Sequence, residues 1–316
     1  MFRAITAFEI RYQLRSPVFW VACALFFLLA FGATTMDEIQ IGARGNVNVN
    51  APAAIVETLA TMGVFGIFVV TAFVAGAVLR DDETGFAPIL RATRVSKPAY
   101  LFGRWIGATL VAWLVMSSVA LGIQLGSLMP WVDAARIGAQ APWHYLWALV
   151  VFTLPTMLVI SAAFFALAIA TRSMMWTYVG AVAALVLFVV SRVLLRDPAY
   201  DTVSALADPF GLSPLRLATK YWTAAERNTQ LPGLEGALLA NRALWLAIAA
   251  LLLALAYKLF RMDGQAVWPR SVAAPESVAE VAAAPPPRAA AAAAPIERGG
   301  ATRAQFMAIA ALDARL

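Results

Sequence analysis

The sequence is poor in charge, histidine and cysteine. Asp, Glu, Lys and Arg make up 13% of its 316 residues, whereas hydrophobic residues make up 62%. Soluble domains carry about 25% charged and about 45–50% apolar residues, so one compact core could not bury this apolar excess, and lipid is the expected solvent. The one histidine, His144, excludes a histidine-based metal cluster, and the one cysteine, Cys23, excludes a disulfide within the chain.

Long apolar runs are what the sequence does contain. A transmembrane helix needs about 20 mostly apolar residues, and six stretches reach or approach that length without a charge near their middle, where each charge would cost about 2.5–3.5 kcal/mol. The predicted spans are 16–36, 58–79, a stretch between Arg104 and Asp133, one between Arg136 and Arg172 that begins near Tyr145, 173–191, and 243–257. The last is short, but its flanking basic residues can reach the interface with their charged ends.

The distribution of Lys and Arg predicts the orientation. Three basic residues precede the first span and five lie in the second connection, whereas the first and third connections carry one each. Because basic residues accumulate on the cytoplasmic side, we expect both termini in the cytoplasm. The fifth connection is an exception that we keep outside, since long loops count less in this rule. Its basic residues are Arg192, Arg196, Arg216, Lys220, Arg227 and Arg242.

The expected fold class is an all-α membrane protein: an amino-terminal interfacial elbow helix plus six transmembrane helices. Residues 1–16 are predicted to form the elbow helix, with arginines on one face and apolar residues on the other, before Pro17 separates it from the first span. Residues 17–262 form the six-span domain. Residues 263–304 are an Ala- and Pro-rich linker without fixed structure. Residues 305–316 repeat the pattern of the first residues, which predicts a second elbow helix and a longer protein of two halves.

The connection from residue 80 to residue 104 carries a recognisable pattern. It contains Glu83-Thr84-Gly85, Ile89-Leu90, Val95-Ser96-Lys97 and Leu101-Phe102-Gly103-Arg104. This pattern resembles the first cytoplasmic loop of type-2 ABC exporter permeases, although Arg94 stands where that family usually has proline. The resemblance implies a short coupling helix over 86–93 that docks on a separate ATPase subunit. The implied coupling residues are Glu83, Gly85, Phe86, Ile89, Leu90, Arg91 and Arg94.

An alternative interpretation is a basic loop that only fixes topology. Docking is physically reasonable, because the apolar side chains could enter a groove while the arginines meet acidic partners.

A second resemblance lies in the predicted outer segment 208–228 and in Asn241-Arg242. The segment contains Asp208-Pro-Phe-Gly211 and Tyr221-Trp-Thr-Ala-Ala-Glu-Arg-Asn228. It is similar to bacterial permeases in which two such membrane halves precede a zinc aminopeptidase-like domain. A single histidine cannot supply a His-Glu-x-x-His pair, so such a domain would lie beyond Leu316. The aromatic pair at 221 and 222 contacts either substrate or the lipid headgroups, the second being the usual role of interfacial aromatics.

Together these resemblances imply a permease subunit of an ABC exporter in the bacterial plasma membrane, with an unknown substrate. The chain lacks a Gly-x-x-x-x-Gly-Lys-Ser/Thr loop, so ATP and magnesium are expected on a partner ABC ATPase, and no catalytic site is expected here. A second permease half or a homodimer would complete the path. The scattered basic residues do not favour nucleic acid as a partner. The alternative function is a membrane anchor or scaffold, without transport, for a fused or associated soluble domain.

Overall fold

The computed structural model describes residues 1–36, 39, 41–85 and 95–260, with only the backbone of Asp82 included. All of these belong to one compact unit, Met1–Pro269. The predicted linker 263–304 and the predicted second elbow helix 305–316 lie outside the described residues, so both stay predictions.

Helices, short turns and loops make up the described part of the chain, in which no strand occurs. The helices are α1 (Phe2–Leu14), α2 (Pro17–Thr35), α3 (Pro52–Glu83), α4 (Lys97–Gly126), α5 (Pro142–Thr171), α6 (Met174–Leu194), α7 (Asp201–Ala207), α8 (Leu212–Ala218), α9 (Ala224–Thr229) and α10 (Gly236–Leu259).

Six helices within the described residues, α2 to α6 and α10, are long and apolar enough to cross a membrane. Their spans have 19 to 30 residues and a mean hydropathy of 2.0 to 2.4. The predicted number of spans is confirmed, and the chain is a multi-pass helical membrane protein. Helices α3 and α10 begin well before the charge-free runs predicted for them. Helix α3 begins at Pro52, a residue type favoured in the first helical turn, and α10 begins at Gly236 and includes Asn241 and Arg242.

The six spans alternate in direction, which gives the bundle two distinct ends. The amino-terminal end holds α1, the connection from α3 to α4, and the turn from α5 to α6. The opposite end holds the first, third and fifth connections. Helices α3, α4 and α5 form the centre, with 61 to 78% of their most apolar windows buried, whereas α2, α6 and α10 have only 17 to 22% buried. The three outer helices therefore present broad apolar faces to lipid or to another chain.

Glycines on α4 allow two helices to approach it closely. A Cβ added at Gly122 would lie 2.6 Å from the Phe27 carbonyl oxygen, and one at Gly126 would lie 2.9 Å from Thr34 Cβ, so α2 packs directly on this pair. A Cβ at Gly103 would lie 3.0 Å from Ile5 on α1. Close approach between helices through small residues is a usual source of stability in membranes.

Helix α5 contains a π-helical segment, Ala148–Thr153, just before Pro155. Proline has no amide proton to donate to the fourth residue before it, and the backbone widens where that bond would be. The Thr153 hydroxyl donates to the Ala148 carbonyl at 3.1 Å, and Trp113 Nε1 on α4 donates to the Leu149 carbonyl at 3.0 Å. The proline thus reshapes the span locally while its backbone groups find partners.

Candidate functional site

A buried ion network joins α1, α3 and α4 at the amino-terminal end. Its centre is the Glu9 carboxylate on α1, which is fully buried. Arg80 on α3 donates to both Glu9 oxygens at 2.7 and 2.8 Å, and Arg104 on α4 donates to one of them at 2.6 Å. Gln13, one turn further along α1, donates to the other at 2.5 Å. One carboxylate therefore holds three helices together.

The second acid of the network is Asp81, next to Arg80 on α3. Arg104 donates from Nη2 to both Asp81 oxygens at 2.8 and 2.6 Å, and the Tyr100 hydroxyl donates to the same group at 2.6 Å. Arg104 thus bridges two carboxylates with its two terminal nitrogens, a geometry that only the guanidinium fork provides.

The network is electrically balanced, because two acids face two arginines. Glu9, Asp81 and Arg104 are each less than 9% exposed, so removal of any one of them would leave an unpaired buried charge. Such a loss costs about 3–5 kcal/mol. The hydrogen bonding of the network is not complete, since Arg104 Nε has no hydrogen-bond partner in the part of the chain that the structure describes.

Helix α1 meets the bundle with a polar face, which differs from the simple split predicted for it. Glu9 and Gln13 are buried, whereas Phe8 and Tyr12 are about half exposed. The Arg80 guanidinium lies 3.9 Å from the centre of the Tyr12 ring. The reason is the pair of arginines on α3 and α4, because a buried guanidinium needs a carboxylate more than an apolar neighbour.

The network brackets the loop predicted to dock an ATPase. Arg80 and Asp81 lie in the last turn of α3, and Arg104 lies two turns into α4. Of the predicted coupling residues, Glu83 ends α3 and Gly85 has a φ of +69°, and both are exposed. The others lie outside the described residues, so their role stays a prediction: Phe86, Ile89, Leu90, Arg91 and Arg94.

A groove of about 690 Å³ runs between α1 and the bracketing helix ends. Ile5 and Phe8 line it from α1, Arg104 lines it from α4, and Thr84 and Val95 line it at the two edges of the undescribed segment. The surface next to the predicted docking loop therefore combines apolar side chains with the edge of the ion network.

A second buried cation, Arg242 on α10, organises the opposite end. Its Nη1 donates to the Thr156 hydroxyl and its Nη2 to the Phe210 carbonyl, both at 3.0 Å, and the guanidinium lies 4.3 Å from the Phe152 ring centre. A Cβ at Gly211 would lie 1.5 Å from Nη2. Only glycine leaves room for this arginine.

The Asp208 turn holds Arg242 in place without a direct ion pair. The Asp208 carboxylate accepts hydrogen bonds from the backbone amides of Phe210, Gly211 and Ser213 at 2.7 to 3.1 Å. Asn241 donates to the Asp208 carbonyl at 2.8 Å. The motifs that carried the second resemblance, Asp208 to Gly211 and Asn241-Arg242, thus form one packed unit.

Asparagines connect the three loops of the opposite end. Asn228 on α9 accepts from the Asn48 amide at 2.8 Å and donates to the Asn46 carbonyl at 2.9 Å. The Asn50 side chain accepts from the Gly138 amide at 2.7 Å. These three asparagine-linked loops form a cap on the opposite end. Tyr221, in the same end of the molecule, is 86% exposed, which is compatible with contact to substrate and with contact to lipid headgroups.

Sequence reasoning did not identify the roles of Glu9 and Asp81. It counted Arg80 as a topology signal, and Arg104 as a topology signal and as part of the motif that carries the first resemblance. The sequence contains a pattern that could have revealed the network. Arg80 and Asp81 lie at the end of one predicted span and Arg104 at the start of the next, so all three are expected at the same level of the membrane. Opposite charges at one membrane level are expected to pair.

No protein-family model matches the chain, and no curated protein matches its sequence.

Proposed function

We propose that the chain is the permease subunit of an ATP-driven exporter of the ABC type, energised by a separate ATPase subunit. The observation that carries this proposal is the buried network of Glu9, Arg80, Asp81 and Arg104. It joins α1 to both helices that flank the predicted docking loop. The resemblance of that loop to the family's first cytoplasmic loop supports the same function.

The network gives a physical route from the loop to the spans. A push on the loop would move the end of α3 and the start of α4 together, because Arg104 bonds both to Asp81 on α3 and to Glu9 on α1. Buried charge pairs resist separation, so displacement would pass into the helices rather than be lost at the surface. For ATP to drive transport, nucleotide must bind the two conformations of the complex unequally.

The proposed orientation places the amino-terminal end in the cytoplasm of a bacterial cell, with α1 as an elbow helix at the plasma membrane. The three helices with broad apolar faces, α2, α6 and α10, supply surface for a second permease half or for a second copy of the chain. The proposed transport path would lie between the two halves. The substrate stays unassigned, and ATP and magnesium would be bound by the partner.

The proposal is tested by recovery of an ATPase with the tagged chain from the native membrane. We expect a nucleotide-binding subunit to copurify with the unaltered protein. The double variant Glu83→Ala, Ile89→Asp should lose that subunit, because it removes an acid and places a charge in the predicted apolar docking surface. Membrane insertion and yield should be unchanged, since Glu83 is exposed.

The matched control lies at the opposite end. Leu234 and Glu235 are both exposed there, so Leu234→Asp with Glu235→Ala changes the same residue types without touching the loop. This control should retain the ATPase. Absence of any ATPase from the unaltered preparation, or equal recovery with both double variants, would favour a scaffold without transport.

A further inference from the structure

The basic residues of the fifth connection have different partners, and three of them form no ion pair or hydrogen bond with a described residue. Arg242 is buried against Phe210 and Thr156, and Arg227 donates to the Thr219 carbonyl at 3.3 Å. Lys220 pairs with Asp201 at 2.6 Å. The remaining three, Arg192, Arg196 and Arg216, form no ion pair or hydrogen bond with any described residue. Among the described residues, therefore, no direct bond accounts for their position at the predicted outer end.

These three arginines share one pocket. It has a volume of about 270 Å³ and is formed by the end of α6, α7 and α8. Its polar lining consists of four cations, one carboxylate and two hydroxyls: Arg192, Arg196, Arg216, Lys220, Asp201, Ser204 and Ser213.

The side chains that line the pocket include more cations than acids. The carboxylate of Asp201 is engaged by Lys220, whose pKa is raised chiefly by that hydrogen bond, so Lys220 is a fixed cation. Arg192 is half-buried, and its guanidinium lies 5.6 Å from the centre of the Phe188 ring. It interacts electrostatically with Arg216 and with two acids that do not line the pocket, Asp208 and Glu57. Like charges gathered around one cavity repel each other, and a bound anion would relieve that repulsion.

We propose that this pocket binds a phosphate group. Guanidinium groups bind phosphate oxygens through paired, charge-assisted hydrogen bonds, and the two serine hydroxyls can donate to the same oxygens. The pocket is small for a drug-sized ligand, since such sites occupy about 300–1,000 Å³, but it suits a phosphate with a short substituent. The proposal does not depend on transport or on an ATPase.

Two sources can supply this phosphate: an inorganic anion or the headgroup of an anionic lipid. The apolar face of α6 leads directly to the pocket, with Val189 53% and Val193 68% exposed just before Arg196. Arginines at the end of a span lie at the level of lipid phosphates. Separate experiments with each source distinguish them.

The first experiment uses the purified full chain in detergent. Sodium phosphate should raise the thermal unfolding midpoint above the value in sodium chloride of equal ionic strength if inorganic phosphate binds. The second uses nanodiscs of phosphatidylcholine with and without phosphatidylglycerol, followed by native mass spectrometry of the lipids that stay bound. Retention of phosphatidylglycerol identifies a lipid headgroup as the source.

Variants link either response to the pocket. Arg216→Gln should weaken the apparent affinity by about tenfold, the value expected for one charge-assisted contact. Arg44→Gln removes an exposed arginine at the same end but outside the pocket, and should leave the affinity unchanged. Asp201→Asn should shift the apparent dissociation constant to lower values, because it removes the one acid that lines the pocket and frees Lys220.

A merely structural role for these residues would not produce opposite shifts in Arg216→Gln and Asp201→Asn. The Arg216 residue and the Asp201 side chain are each more than a third exposed, so neither change should prevent folding. No response to phosphate and no retained phosphatidylglycerol would overturn the proposal, as would an equal loss of affinity in Arg44→Gln.

Discussion

At the scale of single residues, Gly211 shows how one position without a side chain allows a buried charge. Its φ is +82°, and the Arg242 guanidinium occupies the space where a Cβ would be. Arg242 needs that position because it finds the Phe210 carbonyl and the Thr156 hydroxyl there rather than a carboxylate. The glycine therefore serves both the turn and the arginine.

Gly211→Ala is expected to destabilise the protein more than Gly45→Ala. Gly45 has a comparable φ of +62° but nothing within 4 Å of an added Cβ. The Gly45→Ala variant therefore measures only the cost of alanine in a left-handed backbone conformation, about 1–2 kcal/mol. Gly211→Ala should add the loss of charge-assisted bonds from Arg242, worth about 1.5–3 kcal/mol each. The midpoints of thermal unfolding in detergent measure both. Equal midpoints would contradict the tight packing of Arg242 on the turn.

At the scale of elements, α1 is attached to α4 by shape as well as by charge. A Cβ at Gly107 would lie 2.7 Å from Glu9 Cβ and 3.1 Å from the Thr6 carbonyl oxygen. The backbone of α1 therefore rests directly on α4, and this close approach lets the Glu9 carboxylate reach both Arg80 and Arg104.

Gly107→Ala should push α1 away from α4 and break the Glu9–Arg104 contact, a destabilisation of about 3–5 kcal/mol if the pair is lost completely. The control is Gly76→Ala on α3, where nothing lies within 4 Å of an added Cβ. That change should be neutral or stabilising by up to about 1 kcal/mol, because alanine favours helix over glycine. The thermal unfolding midpoint should fall in Gly107→Ala and should stay the same or rise in Gly76→Ala. An unchanged midpoint in Gly107→Ala would contradict the close packing of α1.

The sequence predicted the spans better than it predicted the contacts of their ends. Hydropathy identifies six long apolar helices because each span must be apolar over the thickness of the bilayer. It began the last span at Ala243, since Arg242 was counted as a boundary, whereas the arginine lies within α10 and is hydrogen-bonded inside the bundle. The ion network was missed because Glu9 and Arg104 are distant in the chain, and hydropathy reports each charge alone rather than its partner.

At the scale of the whole molecule, the bundle has different polar structures at its two ends. The amino-terminal end has a balanced ion network that surrounds a loop, and the opposite end has an asparagine-linked cap and a cation-rich pocket. The central helices α3, α4 and α5 connect these ends, while α2, α6 and α10 leave apolar faces exposed. This division fits the proposed permease, in which energy enters at one end and partner surfaces lie at the sides.

The central claim is that the loop between α3 and α4 faces the cytoplasm, where an ATPase could reach it. Its most direct test is cysteine labelling in intact spheroplasts with a membrane-impermeant maleimide, in a Cys23→Ser background. Two exposed positions serve as reporters, Glu83→Cys beside the loop and Arg44→Cys at the opposite end. The account predicts labelling of Arg44→Cys in intact spheroplasts and of Glu83→Cys only after permeabilisation. Labelling of Glu83→Cys before permeabilisation would contradict it.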